Sequence, residues 1–403
     1  MGSACVPETA GRLKRLIGQE IDSIATRLIE VSDDIHAHPE IRFEEYYASK
    51  LLADELEEHG FMVERGNGGL PTAFKAERRF GSEGPTIAIL GEYDALPGLG
   101  HGCGHNIMGT AALGAGVGLA RVLAREAEKA GISGRLIVFG TPAEEGGGGK
   151  VYMVRAGCFE GVDAAMIIHP GNANRINSRS IASQRLIIRF HGRPAHAAAT
   201  PHEGVNALDA MILTYNGINA LRQHVKPDVR IHGVIMKGGD APNTIPDLTE
   251  AMFTIRAATS EYRNVIMEKV KNCARGAALQ TGATVDLELY GLPFDPMKSN
   301  SVLEDAFRTN VNLLGLEEDR APREGLGSTD MGTVSQAVPS IHPSIAIGPK
   351  GLIGHTQAFC DASRSPDGHK GLVAGAKCMA MTALDLFMCP EVLEKAWAEF
   401  RAG

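Results

Sequence analysis

A chain of 403 residues, 44% hydrophobic and 22% charged, is long enough for two domains, each with its own buried core. Its net charge of −8 speaks against a nucleic-acid partner, which a basic surface would be needed to hold. No apolar run reads as long enough to span a bilayer, and the opening residues MGSACVPETAGRLKRLIG lack the apolar core of a secretory signal. Seven cysteines without small-domain spacing fit a reducing compartment, so a cytoplasmic protein without membrane contact is expected.

Residues 12–60 read as helical, with Leu13, Leu16, Ile17, Ile21, Ile24, Leu28 and Ile29 at helical spacing. His36-Ala37-His38-Pro39-Glu40 breaks the run, and a second helix is expected from about Phe43 to His59. Strands and helices then alternate: strands at 72–76 and 86–90, a small-residue helix from about Gly109 to Ala130, a strand at 134–140, a helix near 150–156 and a strand at 164–169. This rhythm predicts a mostly parallel sheet with helices on both faces. Residues 183–290 read differently, as strand, helix (205–224), strand (229–237), strand (248–257), helix (260–279) and strand (283–290), which is the βαββαβ order of a ferredoxin-like unit. A helix over 301–314 and a final helix from about Gly371 to Met388 complete the chain. The fold class expected is therefore α/β: a three-layer, mostly parallel sheet domain (1–182 and 294–403) carrying an inserted ferredoxin-like domain (183–293).

The chemistry-bearing residues lie where strands end. His101-Gly102-Cys103-Gly104-His105 puts a thiol and two imidazoles in a strand-to-helix loop, where Cys103 and His105 have the chemistry of metal ligands. A buried cysteine beside a hydrogen-bonded histidine accounts for the same run taken alone. Glu144 and Glu145 follow the strand at 134–140; one could ligate a metal while the other accepts a proton from bound water, or both could form an acidic turn before a helix. The glycines at 146–149 resemble a phosphate loop, but no Gly-Lys-Ser/Thr follows, which excludes nucleotide binding of that type. His169 ends a strand and His355 lies in a late Gly/Pro-rich loop. Cys103, His105, Glu145, His169 and His355 together suit two metals sharing a ligand or water, with Asp94 placed to orient a ligand. His36, His59, His191, His202, His224, His232 and His369 read as surface or packing residues, His342 as structural, His38 and His101 as neighbours of the ligands, and the other cysteines as packing thiols.

Long motifs in one fixed order carry a resemblance: HPEIRFEE (38–45), GEYDALPGLGHGCGHN (91–106), GTPAEEGGGGK (140–150), HGRPAHAAATP (191–201), GGDAPNTIPD (238–247), STDMGTVS (328–335) and GHTQAF (354–359). Across essentially its whole length the chain resembles the co-catalytic metallopeptidase family of the aminoacylases and carboxypeptidase G. Within it, the chain is most similar to the subfamily of auxin-conjugate, hippurate and aminobenzoyl-glutamate hydrolases, and there to the β-alanyl-lysine dipeptidase-like group. The resemblance implies two divalent metal ions (zinc or manganese, with cobalt also compatible) held by Cys103, His105, Glu145, His169 and His355, and Glu144 as general base. It implies that the inserted domain is a lid and dimerisation domain. His196 would reach a neighbouring subunit's active site and stabilise the oxyanion, Asn243 would bond substrate, and Arg256 would hold a substrate carboxylate. The expected activity is hydrolysis of a small N-acyl amino acid or dipeptide bearing a free carboxylate, by a homodimer. Two alternatives stand beside it: deamination or amide cleavage of an aromatic or xenobiotic compound at the same site, and a non-catalytic carrier. Glu92 and Thr329 depart from the aspartate and glutamate common in the subfamily; both variants fit the dipeptidase-like group, so the substrate of the auxin-conjugate enzymes is not carried over to this chain.

Overall fold

The structure, a computed structural model, describes residues 7–321 and 326–402. Its elements in chain order are α1 (Pro7–Ala37), α2 (Tyr46–Glu58), β1 (Met62–Arg65), β2 (Phe74–Phe80), β3 (Thr86–Gly91), α3 (His105–Ala130), β4 (Gly134–Gly140), α4 (Gly149–Arg155), β5 (Ala164–Met166) and β6 (His169–Gly171). Then come β7 (Ala182–His191), α5 (Ala207–Leu221), β8 (Arg230–Lys237), β9 (Leu248–Ala257), α6 (Ser260–Thr281) and β10 (Thr284–Phe294). The chain closes with α7 (Ser301–Leu313), α8 (Met331–Ala337), β11 (Ser340–Ile341), β12 (Ser344–Ala346), α9 (Gln357–Ala362), α10 (Pro366–Met388) and α11 (Pro390–Ala402). Backbone contacts divide it into two units, one of Met1–Arg179, Met297–Gly325 and Asp330–Gly403, the other of Ser180–Pro296 and Leu326–Thr329.

In the first unit a six-stranded sheet has the order β1-β2-β4-β3-β5-β11. The joins β4/β3, β3/β5 and β5/β11 are parallel, and β1/β2 and β2/β4 antiparallel. Central strands buried on both faces must be apolar throughout, and TIAIL in β3 and LIVF in β4 are. Their alternate side chains serve opposite layers. Ile87, Ile89, Leu136 and Val138 join the core built with α1, α3 and α10, while Ala88, Leu90, Ile137 and Phe139 pack with Met153 of α4 and Val334 of α8. Gly91 lets α3 sit close on the end of β3: a Cβ there would stand 2.8 Å from Gly109 Cα. The mostly parallel three-layer architecture expected from the alternation of elements is present.

The second unit is a four-stranded sheet of order β10-β7-β9-β8, antiparallel at every join, with α5 and α6 sharing its core. Numbered within the insertion this is 4-1-3-2, the ferredoxin-like arrangement. β8 is an edge strand, and it exposes Val234 (57%), Ile235 (39%) and Met236 (57%).

Several expectations need correction. The strand expected over 164–169 stops at Met166; β6 starts at His169 and pairs in parallel with β12 in a separate two-stranded sheet. α3 begins at His105, four residues before the expected start, because Gly104 at φ +78 ends the loop there. The helix ending at Met388 is not the last, since Pro390 at a first helical position starts α11 instead of ending the fold. Two helices do reach bilayer length by composition, contrary to expectation: α3 and α10 have mean hydropathies of 1.6 and 1.4, but 89% and 72% of those windows is buried inside the protein, so core packing accounts for them. Among the cysteines, Cys158, Cys273, Cys360 and Cys378 are free thiols as expected, whereas Cys389 is disulfide-bonded.

Candidate metal centre

The carboxyl end of a parallel sheet is where α/β folds collect ligands, and four segments meet there in the first unit. β3 runs into Glu92 and Asp94, the following loop brings Cys103 to the start of α3, β4 runs into Glu144 and Glu145, and β6 begins with His169. The loop before α9 adds His355, whose backbone N–H donates to the Gly102 carbonyl at 2.9 Å. Gly104 is needed for the approach: a Cβ there would lie 2.6 Å from Pro170 Cγ, pushing Cys103 and His105 away from His169.

The imidazoles are oriented by the nitrogen that faces away from the cluster. His105 Nδ1 lies 2.9 Å from both the Asp94 carbonyl and Asp94 Oδ1, so it carries a proton and turns Nε2 toward the cluster, where a metal ion would displace that nitrogen's proton. His169 Nδ1 lies 2.6 Å from the Pro170 carbonyl, and its Nε2 sits 3.4 Å from Cys103 Sγ. His355 Nε2 stands 3.3 Å from Glu145 Oε1. Asp94 is shared: its Oδ2 accepts the Glu145 backbone N–H at 2.9 Å. Two three-residue sets result, Cys103-His105-His169 and Cys103-Glu145-His355, and within each the donor atoms lie inside 4.8 Å of one another. Cys103 belongs to both. Glu92, His105 and Glu144 form a third set of the same tightness.

His105 Nε2 and Glu145 Oε1 are buried without a hydrogen-bond partner, and the nearest opposite charges stand at 3.3 Å. Orphaned lone pairs of this kind, with thiolate and imidazole beside them, fit divalent cations such as zinc. Burial pushes the Cys103 thiol up, against the pull of His105. A cation against the sulfur reverses that balance.

The adjacent glutamates are driven apart. Burial, then the charges of Glu92, Glu145 and Asp330, push the Glu144 carboxyl well up. Burial works against Glu145 too, but the pull of His355, 3.3 Å away, and the charge of His105 outweigh it and hold that carboxyl low. Neighbouring carboxyls displaced in opposite directions can divide proton carriage from ligation. Beneath them lies a buried cation. Lys150 Nζ, fully buried, is 2.6 Å from Glu92 Oε1 and 2.7 Å from Asp330 Oδ1, and its backbone N–H donates to Asp330 Oδ2 at 3.0 Å.

The structure thus brings together Cys103, His105, Glu144, Glu145, His169, His355 and Asp94. His101 is buried beside them with Nε2 3.1 Å from the Ile35 carbonyl, and burial followed by the charges of His105 and His36 lowers it to about 3. His342 packs its ring edge-on against His169 at 5.6 Å, while His38 is exposed and lies by Asp34. The other three candidates belong to the second unit. His196 is exposed, and its Nδ1 accepts the N–H groups of Ala198 (3.3 Å) and Ala199 (3.1 Å), which leaves the proton on Nε2. Asn243, also exposed, accepts the Ala197 N–H on its carbonyl at 2.9 Å. Arg256, half-buried on β9, donates from Nη1 to Ser328 Oγ at 3.0 Å. Sequence reasoning passed over Lys150, whose signal is a lysine on the buried side of α4 beside Val151 and Met153, and over its partners Glu92, read only as a motif variant, and Asp330, read only as part of a motif.

A family model described as a peptidase dimerisation domain matches residues 177–281. The chain is 39% identical over 401 residues to the Xaa-Arg dipeptidase of Mus musculus, covering 96% of this chain and 92% of that protein. It is 34% identical over 462 residues to one of the subunits of the p-aminobenzoyl-glutamate hydrolase of Escherichia coli (strain K12), covering 96% of this chain and 94% of that subunit. In fold it is similar to a dinuclear metal-binding peptidase of the M20 family from Bacillus subtilis, with a TM-score of 0.70 at 22% identity over 91% of this chain and 99% of that one. An aminobenzoyl-glutamate utilization protein from Klebsiella pneumoniae gives 0.71 at 21% identity over 92% and 98%.

Proposed function

The chain belongs to the M20 family of peptidases, and from that premise we propose that it is a dinuclear metal-dependent dipeptidase or N-acyl amino acid hydrolase. Family membership makes it a hydrolase of peptide or amide bonds. The observation that carries the finer reading is the convergence of four donor residues, His105, Glu145, His169 and His355, on the sulfur of Cys103, with Glu144 beside them driven apart from Glu145 in proton affinity.

In this reading Cys103, His105 and His169 would hold one ion, and Cys103, Glu145 and His355 would hold the other. Zinc, manganese and cobalt all suit such donors, and the thiolate and imidazoles suit zinc best. When bound, the ions polarise the amide carbonyl and acidify water. Glu144 takes the proton of the attacking water and passes it to the departing amine. Burial and the charges of Glu92, Glu145 and Asp330 raise its proton affinity, which favours a carboxyl that holds the proton between the two transfers. Asp94 keeps the His105 lone pair aimed inward. His196, with its proton on Nε2, serves as a donor to the developing oxyanion of a neighbouring subunit's site, and Asn243 and Arg256 bind the substrate, Arg256 taking its carboxylate. The dimer this requires would form through the second unit, where the edge strand β8 exposes Val234, Ile235 and Met236. We also place the protein in the cytoplasm.

The first substrates to test are Xaa-Arg dipeptides and aminobenzoyl-glutamate, after the relatives' names; both are amides whose nitrogen belongs to an amino acid with a free carboxylate. Glu144→Ala should lower turnover by at least about a hundredfold. It should also retain two metal equivalents per chain by mass spectrometry. Unchanged turnover would remove Glu144 from the reaction, and fewer than two equivalents in the unmutated protein would remove the dinuclear centre.

A further inference from the structure

Glu45 stands at the N-cap of α2, yet its side chain caps nothing there. That task falls to Glu40, whose carboxylate accepts the N–H groups of Tyr47 and Ala48. Glu45 is instead turned inward and wholly buried. Its Oε1 accepts the backbone N–H of Phe43 at 2.9 Å and that of Ala143 at 2.8 Å, and its Oε2 accepts from Thr72 Oγ1 at 3.0 Å.

Both backbone donors are left-handed. Among the described residues, three that are not glycine have positive φ: Phe43 (63°), Ala143 (61°) and His355 (60°). An alanine in that region is strained and stays there only when its surroundings hold it. Ala143 directly precedes Glu144 and Glu145, so its conformation sets where both carboxylates point. Gly147 makes room for the arrangement, since a Cβ there would stand 2.5 Å from Ala143 Cβ and 2.8 Å from the Phe43 ring. The glutamate pair is therefore gripped by two buried carboxyls, Glu45 on the N–H of Ala143 and Asp94 on the N–H of Glu145.

We propose that Glu45 is a positioning residue of the metal centre, holding Ala143 left-handed so that Glu145 faces the second ion and Glu144 faces the attacked carbonyl. This rests on the dinuclear reading above. Only acceptor oxygens are required, so a neutral group of the same shape can serve. In keeping with that, burial followed by the charge of Asp94 pushes the Glu45 carboxyl up to about 7, and its protonated form still has an oxygen to accept both N–H groups.

The test compares Glu45→Ala, Glu45→Gln and Glu45→Ala with Ala143→Gly, each read by metal content after gel filtration, chelator competition and steady-state kinetics. Glu45→Ala should hold one ion per chain instead of two and lose ten- to a hundredfold in kcat, with KM changed less, as for loss of an outer partner of a metal ligand. Glu45→Gln should keep both ions and most of kcat. Glycine at 143 adopts positive φ without strain and should restore the second ion to Glu45→Ala. If Glu45→Ala does not fold, Glu45→Asp withdraws the carboxyl by one methylene and should give the same readings. Two ions and an unchanged kcat in Glu45→Ala, equal losses in the Ala and Gln variants, or no recovery with Ala143→Gly would each overturn the proposal. An unmutated protein with fewer than two ions would overturn the dinuclear reading itself, and this inference with it.

Discussion

Lys150→Met puts the greatest load on the structure for the least change in volume. The ammonium lost has no exposure and sits 2.6 and 2.7 Å from the carboxylates of Glu92 and Asp330, which are themselves 1% and 0% exposed. Removing one partner from a buried pair costs about 3–5 kcal/mol, because the remaining charge has neither water nor counter-ion. Here two carboxylates are stranded, against a total stability of about 5–15 kcal/mol for a typical protein. The penalty should depend on pH. Burial already lifts the Asp330 carboxyl from 3.8 to about 6 although Lys150 pulls it down. Without that pull it moves higher, and the folded variant binds protons that the unfolded chain has released. Stability of the variant is therefore greatest below the unfolded value near 4 and is lost as pH rises through the raised value. Urea unfolding followed by circular dichroism at pH 5 and pH 8 should show a small deficit at the lower pH and the full one at the higher. Adding Asp330→Asn should recover part of it. A deficit below about 1 kcal/mol at pH 8, or one equal at both pH values, would mean that the carboxylates are not stranded and would refute the reasoning.

Asp94→Asn cannot accept from both His105 Nδ1 and the Glu145 N–H, so metal affinity should fall by about ten- to a hundredfold in chelator competition. Unchanged affinity would show that the imidazole is oriented by other contacts. Glu45, raised from 4.5 to about 7 by burial and then by Asp94, stabilises the fold most at low pH, and that contribution fades as pH climbs through 7. The shift corresponds to roughly 3 kcal/mol in metal-free protein. Glu45→Gln should flatten this part of the pH profile of unfolding. Val234→Lys on the exposed edge strand should shift the protein toward monomer in sedimentation velocity; an unchanged dimer would place the interface elsewhere.

The fold was most legible where side chains repeat with a period. β9, LTEAMFTIRA, alternates buried and half-exposed residues along its length and was expected over the same residues. α7 and α6 were likewise expected within two residues of their ends. Strands of two or three residues, such as β6, β11 and β12, have no period to read, and they are what places His169. The meeting of Cys103, His105, Glu145, His169 and His355 was expected from the motifs. Their support was not. A glutamate at a helix start has the ordinary role of a helix-dipole partner, so nothing in the sequence singles out Glu45, whose carboxyl reaches Ala143 across 98 residues. Lys150 and Asp330 are 180 residues apart, and neither announces the other.

That separation bears on how the protein is made. At about 5–20 residues per second, roughly 10–40 s pass between synthesis of Lys150 and of Asp330. Throughout that interval the nascent chain carries a lysine destined for complete burial with only Glu92 of its two acidic partners made, and His355 appears later still. The intervening residues contain the whole of the second unit, which can fold as it emerges. The first unit, which holds the chemistry, must wait. Its candidate metal donors stay incomplete until His355 is made, so a product truncated before that point would present Cys103, His105 and Lys150 without the residues that complete them, a form suited to capture by chaperones and proteases.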